Sequence, residues 1–328
     1  MMPMRYLSTT DLLQLGLMDW PTALRDVAAT IRLLHSGDAG MVPESVMSLG
    51  LDPRSKAYGL PAFVGGGYDA AGLKWTLHRP AAAADRPAIT STTLLNALSD
   101  GRPLGMAESA LITRVRTAAV SATAIRALLS HPPRRIAILG AGGQAETHLD
   151  MVLALFPALE AIDLWNRTPA RLDALIARRA AVPGPERIAH DQLSEAIAQA
   201  DVILCCTSAP DPFVTAEAVR PGRLIVQVGF HEVTFEAIAA SDAVCVDLWG
   251  DFADKSAKSL FQMYRAGAFC EAQVKADLPR LLIEGWHPPP GAALYFSSFG
   301  LNVFDIAFAA RLMRQAEAQG IGTLLPSA

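Results

Sequence analysis

Several residues near the middle of the chain have the types and the spacing that a phosphate-binding turn requires. They form one glycine-rich stretch, made of Gly140, Gly142, Gly143, Gln144 and Ala145. The apolar run Ile136 to Leu139 precedes it and apolar residues follow at helical spacing, so the pattern predicts strand, tight turn and helix. The first glycine then makes the turn, the second lets the backbone approach a pyrophosphate, and the small Ala145 lets helix and strand pack closely. The stretch predicts a dinucleotide site, and an ordinary glycine turn in a parallel sheet is the alternative.

Asn166, Arg167 and Thr168 bear on which dinucleotide binds, because they follow the next apolar run, Ala161 to Trp165. An acidic residue at this place would accept hydrogen bonds from ribose hydroxyls and repel a 2′-phosphate. Here the three residues offer hydrogen-bond donors and one fixed positive charge, and a guanidinium suits a phosphate. The cluster predicts NADP(H) in preference to NAD(H), which stays possible. The alternative for Arg167 is a solvated surface charge.

The composition is that of a globular protein without an obvious polyanionic partner. The 328 residues are 51% hydrophobic and 18% charged, enough for two domains with sizeable cores. The net charge is −4, and no run of five Lys or Arg occurs, so neither nucleic acid nor an anionic membrane is an expected partner. The four cysteines lack zinc-type spacing, which predicts no metal site and reduced thiols in the cytoplasm. Neither a signal peptide nor a membrane span is expected.

The first part of the chain indicates two helices, then strands, then a third helix. Ser8 to Asp11 can cap a helix, and a second helix is predicted from Pro21 to about His35. Short apolar runs from Val42 to about Leu98 predict antiparallel strands, and Asp100 to Pro103 predicts a hairpin turn. An alanine-rich helix should then run from Ser109 to about Ser130.

That third helix carries Arg114 and Arg116, two positions apart. Residues at this separation do not share a face of a helix. At most one of the two arginines should therefore point inward.

Strands and helices alternate beyond the glycine turn. The predicted elements are a helix from Ala170 to Arg179, a strand from Val202 to Cys206, a helix from Ala216, strands from Leu224 to Val228 and from Ala243 to Val246, a helical stretch from Ser256 to Leu282, and a last helix from Val303 to Gln319. This alternation predicts an α/β fold with a Rossmann-type, doubly wound parallel sheet. Ligands of such sheets lie beyond the carboxyl ends of the strands, which places Thr207, Ser208 and the run Gly229 to Glu232 at the edge of the site.

With four stretches in the same order, the chain resembles the ornithine cyclodeaminase and μ-crystallin superfamily over nearly its whole length. The stretches are Lys74-Trp75, the run Ile112 to Ala119, the glycine turn, and Ser298 to Gly300. The resemblance implies a nicotinamide nucleotide, chemistry at the carbon bearing an amino acid's nitrogen, and a homodimer. It also implies an α+β substrate-binding and dimerisation domain, residues 1–120 with 297–328, and a Rossmann dinucleotide-binding domain, residues 121–296.

The resemblance also implies roles for individual residues. Lys74 corresponds to the lysine beside the substrate carboxylate, where an ammonium can bind that group or protonate an imine nitrogen. Arg116 corresponds to the arginine between the substrate carboxylate and the cofactor phosphates. The remaining positions implied to touch the nucleotide, besides the glycine turn and the Asn166 cluster, are Thr117, Thr207, Ser208, Val228, Gly229 and Ser298. The alternatives are a surface role for Lys74 and a helix-face ion pair for Arg116.

Two departures from the family pattern bear on the reaction. The cyclodeaminases carry an Asp that assists deamination where this chain has His231, with Glu232 beside it. His231 could move a proton, since its unperturbed pKa lies near neutrality, or it could simply pack beside Phe230. An arginine that binds the substrate carboxylate follows an early proline in the cyclodeaminases, whereas Glu44 follows Pro43 here. Glu44 would repel a carboxylate and could hold an amine.

The leading hypothesis is an NADP(H)-preferring oxidoreductase that acts on the C–N bond of an amino or imino acid, with Lys74, Arg116, His231 and Glu232 as candidate catalytic residues. The first alternative is an ornithine or lysine cyclodeaminase that releases ammonia with bound NAD. The second is a crystallin-like protein that binds nucleotide or ligand without catalysis.

Overall fold

A computed structural model of the protein describes residues 4–50, 52, 55–79 and 87–326. In chain order the strands are β1 (Met4–Leu7), β2 (Ala39–Met41), β3 (Ser45–Ser48), β4 (Lys56–Val64), β5 (Ala70–His78), β6 (Ile89–Ala97), β7 (Pro103–Glu108), β8 (Arg135–Leu139), β9 (Ala161–Trp165), β10 (Glu186–Ala189), β11 (Val202–Cys205), β12 (Leu224–Gln227), β13 (Ala243–Val246), β14 (Val274–Ala276), β15 (Leu294–Ser297) and β16 (Thr323–Leu325). The helices are α1 (Thr9–Gln14), α2 (Trp20–Ser36), α3 (Ala110–Leu128), α4 (Gly143–Leu155), α5 (Pro169–Arg179), α6 (Leu193–Ile197), α7 (Phe235–Ala239), α8 (Ser259–Arg265), α9 (Leu278–Leu282) and α10 (Val303–Gln319).

The chain divides into two compact units. The first consists of Met1–Arg116 with Leu301–Ala328, and the second of Thr117–Gly300. Helix α3 therefore contributes its first turns to one unit and the rest to the other.

The first unit is a mostly antiparallel sheet in the order β16-β1-β7-β6-β5-β4-β2, with β3 also paired to β4. Only β1 and β7 pair in parallel among its described strands. Because side chains alternate between the faces of a strand, β5 turns Lys74 and Thr76 to the buried face and Leu73 and Trp75 to the exposed one. Helix α10 packs against β4, β5 and β6 and brings an almost wholly buried first half to this unit.

The second unit is a parallel sheet in the order β10-β9-β8-β11-β12-β15-β13-β14. Its first five strands run in the spatial order 3-2-1-4-5 that is typical of dinucleotide-binding sheets. Strands β11, β12, β13 and β15 are buried at every position, which explains why their sequences are apolar except for Gln227 and Ser297 at the ends of β12 and β15. The strand order reverses between β8 and β11, where the glycine turn leaves β8.

Most predicted elements are confirmed, including the capped helix α1, the hairpin between β6 and β7, and the α/β fold class with its parallel sheet. The helix predicted from Ala216 is wrong, because only a 3-10 turn, Ala216–Ala218, forms there. The helical stretch predicted from Ser256 to Leu282 is also wrong as one element, since it contains α8, β14 and α9. Residues 51, 53–54 and 80–86 of the predicted strand region lie outside the described residues.

Strands β1, β2, β10, β14, β15 and β16 were not predicted. Each has three or four residues, and β15 pairs with β12 and β13, which lie far from it in the sequence. In the part of the chain that the structure describes, no helix is long and apolar enough to cross a membrane.

Candidate functional site

The glycine turn leaves β8 in a conformation that only a residue without a side chain fits. Gly140 has φ of +123°, and a Cβ at this position would lie 2.6 Å from the carbonyl oxygen of Cys206. Gly142 is the N-cap of α4 and is followed by Gly143; no side chain caps the helix there. A Cβ on Gly142 would have no heavy atom within 4 Å, so the turn is open on that side. Uncapped first-turn N–H groups suit an anionic phosphate.

The first turn of α4 is anchored by a histidine that the sequence analysis missed. His148 is fully buried, with Nδ1 2.8 Å from the Gln144 carbonyl oxygen and Nε2 2.9 Å from Ser121 Oγ. Burial lowers the pKa of His148 to about 4, so the ring is neutral at physiological pH. Gln144 also has a buried Oε1 with no hydrogen-bond partner among the described residues, which leaves a polar atom for a ligand. Ala145 is fully buried, as close packing of helix and strand requires.

The turn after β9 is stabilised by the side chain of Asn166. Asn166 Nδ2 donates to the Thr168 carbonyl oxygen at 2.8 Å, and Arg167 and Thr168 are exposed. A cavity of about 160 Å³ adjoins this turn, lined by Trp165, Asn166, Arg167 and the chain after β10 at His190 and Asp191. The Arg167 side chain therefore stands at a concave surface at the carboxyl edge of the sheet.

Glu232 supports the backbone after β11. Its Oε1 accepts from Thr207 N at 2.8 Å and from Thr207 Oγ1 at 3.2 Å, and the residue is fully buried. Burial raises the pKa of Glu232 to about 7, although the hydrogen bonds from Thr207 oppose that rise. A Cβ on Gly229 would lie 2.0 Å from the Thr207 carbonyl oxygen and 2.1 Å from Glu232 Oε1, so this position must be glycine. Ser208, the next residue, is exposed.

His231 contacts Ser259 and Phe235, and the neighbouring Phe230 is 42% exposed. His231 Nδ1 lies 2.9 Å from Ser259 Oγ, and its ring is 6.3 Å from that of Phe235. Burial lowers the pKa of His231. The ring is partly exposed and mostly neutral at physiological pH.

Val228 and Ser298, two predicted nucleotide contacts, are joined by a lysine that the sequence analysis missed. Lys258 Nζ donates to the Val228 carbonyl oxygen at 2.7 Å and to that of Ser298. The buried Asp247 accepts from the backbone N–H groups of Phe299 and Gly300, each at 2.9 Å, and from Ser298 Oγ at 3.3 Å. The ends of β12 and β15 are therefore fixed to each other by charged side chains.

In the first unit, Lys74 and Arg116 meet at a third residue that the sequence analysis missed, Asp305. Lys74 Nζ lies 2.7 Å and Arg116 Nε 3.2 Å from Asp305 Oδ2, and Thr113 Oγ1 donates to Oδ1 at 2.6 Å. Arg116 is 4% exposed whereas Arg114 is half-buried, so one arginine of the pair points inward, as predicted. Arg116 Nη1 is buried without a hydrogen-bond partner in the described residues. A sequence signal for Asp305 exists, because it is the one charge in the apolar stretch VFDIAFAA.

The described residues contain no group of three or more His, Cys, Asp or Glu that could hold a metal ion. Three cysteines are buried and Cys270 is exposed, and all four are free thiols.

A model of the ornithine cyclodeaminase/mu-crystallin family matches residues 9–239 of the chain. An NAD(P)H-dependent anabolic L-arginine dehydrogenase of Pseudomonas aeruginosa is 30% identical over 241 residues, which are 71% of this chain and 74% of that protein. The structure of Thermococcus litoralis Δ1-pyrroline-2-carboxylate reductase in complex with NADH and L-proline has a TM-score of 0.89 at 22% identity, covering 98% of this chain and 99% of that one. An archaeal alanine dehydrogenase dimer with bound NAD has a TM-score of 0.87 at 20% identity and covers all of both chains. These two structures share the fold of this protein.

Proposed function

The chain belongs to the ornithine cyclodeaminase/mu-crystallin family, and we therefore propose that it is an NAD(P)-dependent oxidoreductase of the C–N bond of an amino or imino acid, reducing an imine or oxidising the corresponding amine. The observation that carries this proposal is the buried, unpartnered Nη1 of Arg116 beside Lys74. A buried guanidinium N–H without a partner is costly, and a substrate carboxylate would satisfy it.

The nucleotide would bind at the glycine turn of the second unit, where Gly140, Gly142, the first turn of α4 and the backbone at Thr207 fit a pyrophosphate and its adenosine. Val228, Gly229 and Ser298 would support the nicotinamide half. When bound, the nucleotide supplies or accepts a hydride. The chain's own contribution is the rigid backbone that Glu232, Lys258 and Asp247 hold in place.

The proposed preference for NADP(H) rests on Arg167. No acidic residue occupies the turn after β9, and the exposed guanidinium stands at a cavity large enough for part of a ligand. Arg167→Ala should weaken NADPH binding by about tenfold or more, as expected for one lost charge-assisted contact, and leave NADH binding nearly unchanged. Fluorescence titration with both nucleotides measures this. The matched control is Arg220→Ala, since Arg220 is also exposed but precedes β12 at the opposite edge of the sheet.

The proposed substrate is a small amino or imino acid with a cationic nitrogen. Arg116 would take its carboxylate. Glu44 is partly exposed and acts electrostatically on Lys74, where it raises the pKa of that lysine. A carboxylate there favours a protonated imine or amine on the substrate.

Lys74 is the proposed donor of the proton to the substrate nitrogen, with His231 as the second candidate. Glu232 was predicted to be catalytic, and that role stays a prediction. Its enclosed carboxylate supports Thr207, which is a positioning role.

We also propose that two copies of the chain form a dimer through the exposed face of the first unit's sheet. Phe63, Leu73, Trp75 and Leu94 lie on this face, and each is 37–42% exposed. Neighbouring apolar side chains of this size usually mark an interface, and a structure with the same fold is a dimer. Trp75→Glu should give a monomer in light scattering coupled to gel filtration. Ile283→Glu, which changes an exposed apolar residue of the other unit, should not.

The test of the reaction is a panel of cyclic imino acids, and of 2-oxo acids with amines, mixed with NADPH or NADH. The proposal expects oxidation of the nucleotide in step with loss of the imine. A diamino acid that releases ammonia without net change of the nucleotide would overturn it in favour of a cyclodeaminase. Binding of nucleotide with no turnover of any amino or imino acid would also overturn it.

A further inference from the structure

One buried carboxylate joins the two cations of the first unit. Asp305 lies in the first turn of α10, and its side chain is fully buried. Lys74 comes from β5 and Arg116 from α3, and both are at least 94% buried in their side chains. Lys74 and Asp305 are 231 positions apart in the sequence.

Both oxygens of Asp305 are occupied, which fixes the orientation of the carboxylate. Oδ2 accepts a hydrogen bond from Lys74 Nζ at 2.7 Å and forms an ion pair with Arg116 Nε at 3.2 Å, and Oδ1 accepts a hydrogen bond from Thr113 Oγ1 at 2.6 Å. The carboxylate therefore engages Arg116 through Nε and not through Nη1. The outer edge of the guanidinium is left for a second anion.

We propose that Asp305 is the positioning residue of this site: it holds Lys74 and Arg116 so that Lys74 gives a proton to the substrate nitrogen while Arg116 Nη1 binds the substrate carboxylate. This inference rests on the proposed function and adds to it the group that keeps Lys74 protonated. Asp305 itself does not touch the substrate.

The proton step balances with the residues present. In the reductive direction an N–H bond of the Lys74 ammonium breaks and a new N–H bond forms at the substrate nitrogen. The bound nucleotide would supply the two electrons, as a hydride to the substrate carbon. Lys74 is left as a neutral amine beside the Asp305 carboxylate, and solvent returns the proton.

The charges that face Lys74 come from several elements. Burial lowers the pKa of Lys74, Asp305 raises it, Arg116 lowers it, and Glu44, just before β3, raises it. His78 on β5 has a lowered pKa, caused by its burial and by Lys74. Burial would raise the pKa of Asp305, but Arg116 and Lys74 hold it below its usual range. Asp305 is therefore ionised whenever the enzyme is folded near neutral pH, and its charge opposes the loss of the Lys74 proton.

Asp305→Asn tests the inference without any substrate. The chain has five lysines, Lys56, Lys74, Lys255, Lys258 and Lys275, so lysine labelled with ¹³C at Cε gives few signals, and Lys74→Met assigns the one required. The pKa of Lys74 should fall by about 1–3 in Asp305→Asn, the effect expected for loss of an adjacent opposite charge. An unchanged pKa would overturn the proposal.

Asp26→Asn is the matched control. Asp26 is a second buried carboxylate of the same unit, where it pairs with Arg311 at 2.6 Å and accepts from Tyr68 at 2.8 Å. Its loss removes an ion pair of the same kind but should leave the pKa of Lys74 where it is. If Asp305→Asn does not fold, Thr113→Val is used instead; it removes a hydrogen bond that partly neutralises the Asp305 carboxylate, so the pKa of Lys74 should rise, and a fall would overturn the proposal.

A second readout separates this inference from the proposed function. Pyrrole-2-carboxylate, a planar carboxylate without a reducible C=N bond, should bind the wild type, and pyrrole should not. In Asp305→Asn the alkaline limb of kcat/KM for an imine should move down by the same amount as the pKa of Lys74. If the pKa of Lys74 is lowered in Asp305→Asn but the wild type reduces no imine, the proposed function is refuted and the role of Asp305 is not. If the wild type reduces an imine but the alkaline limb of kcat/KM does not move in Asp305→Asn, the role of Asp305 is refuted and the proposed function is not.

Discussion

Replacing Glu232 with glutamine should remove a pH-dependent loss of stability from the second unit. Glu232 is fully buried, and its Oε1 accepts from the backbone and side chain of Thr207. Glutamine has nearly the same shape, and its carbonyl oxygen can still accept from Thr207 N. The change removes the ionisable group, and it replaces Oε2, which accepts from Gln227 Nε2 at 3.4 Å, with an amide nitrogen.

The direction in which the free energy of unfolding changes with pH follows from the raised pKa of Glu232 in the folded protein. Burial brings that pKa from 4.5 to about 7, so between these pH values the folded state binds more protons than the unfolded state. The free energy of unfolding therefore falls as the pH rises from 4.5 to about 7, and levels off above that. The difference between the two pKa values corresponds to about 3 kcal/mol.

The assay is thermal unfolding of the wild type and Glu232→Gln from pH 5 to pH 8. For a unit of this size, about 3 kcal/mol corresponds to roughly 6–12 °C in Tm. The Tm of the variant minus that of the wild type should become more positive by about that amount across the pH range. Any loss from the altered hydrogen bonds adds a constant and does not change this slope. Glu236→Gln, at an exposed glutamate of α7, should give a flat difference. A flat difference for Glu232→Gln as well would refute the reasoning.

Three further outcomes test the nucleotide site and the identity of the proton donor. Gly140→Ala should weaken NADPH binding about tenfold or more in a fluorescence titration, because its Cβ would lie 2.6 Å from Cys206 O at a φ of +123°; unchanged affinity would contradict the account. Lys258→Met should raise KM for the nucleotide more than KM for the imine, since it frees the backbone of Val228 and Ser298; equal effects on both would count against that role. His231→Asn should keep kcat within a few-fold, measured at saturating imine, whereas loss of the proton donor costs about 100-fold or more.

The glycine turn and the parallel sheet could be predicted from sequence because both depend on neighbours in the chain. The strand-turn-helix pattern around Gly140 is local, and β11 and β12 are buried on both faces, which makes their sequences apolar up to Gln227 at the end of β12. Helical phase alone predicted that at most one of Arg114 and Arg116 points inward, and the family resemblance indicated Arg116. The structure of these segments can therefore be predicted from the local spacing of their apolar and polar residues.

The partners of the residues that complete the candidate site could not be predicted, because they are remote in the sequence or are backbone atoms. Asp305 matters through Lys74, 231 positions away, and only the packing of α10 on the sheet brings them together. Lys258 binds two carbonyl oxygens, which have no side-chain signature in the sequence. Strand β15 pairs with strands that precede it by many residues, so its four residues gave no strand signal on their own.

The most direct measurement follows a deuterium atom from C4 of reduced nicotinamide into the product. NADPH carrying deuterium at the transferred position is incubated with the protein and the best imine of the panel, and the product is analysed by mass spectrometry and NMR. The account predicts one deuterium on the carbon bonded to nitrogen, for each nucleotide oxidised. An unlabelled product, formed with release of ammonia and with the nucleotide unchanged, would contradict it.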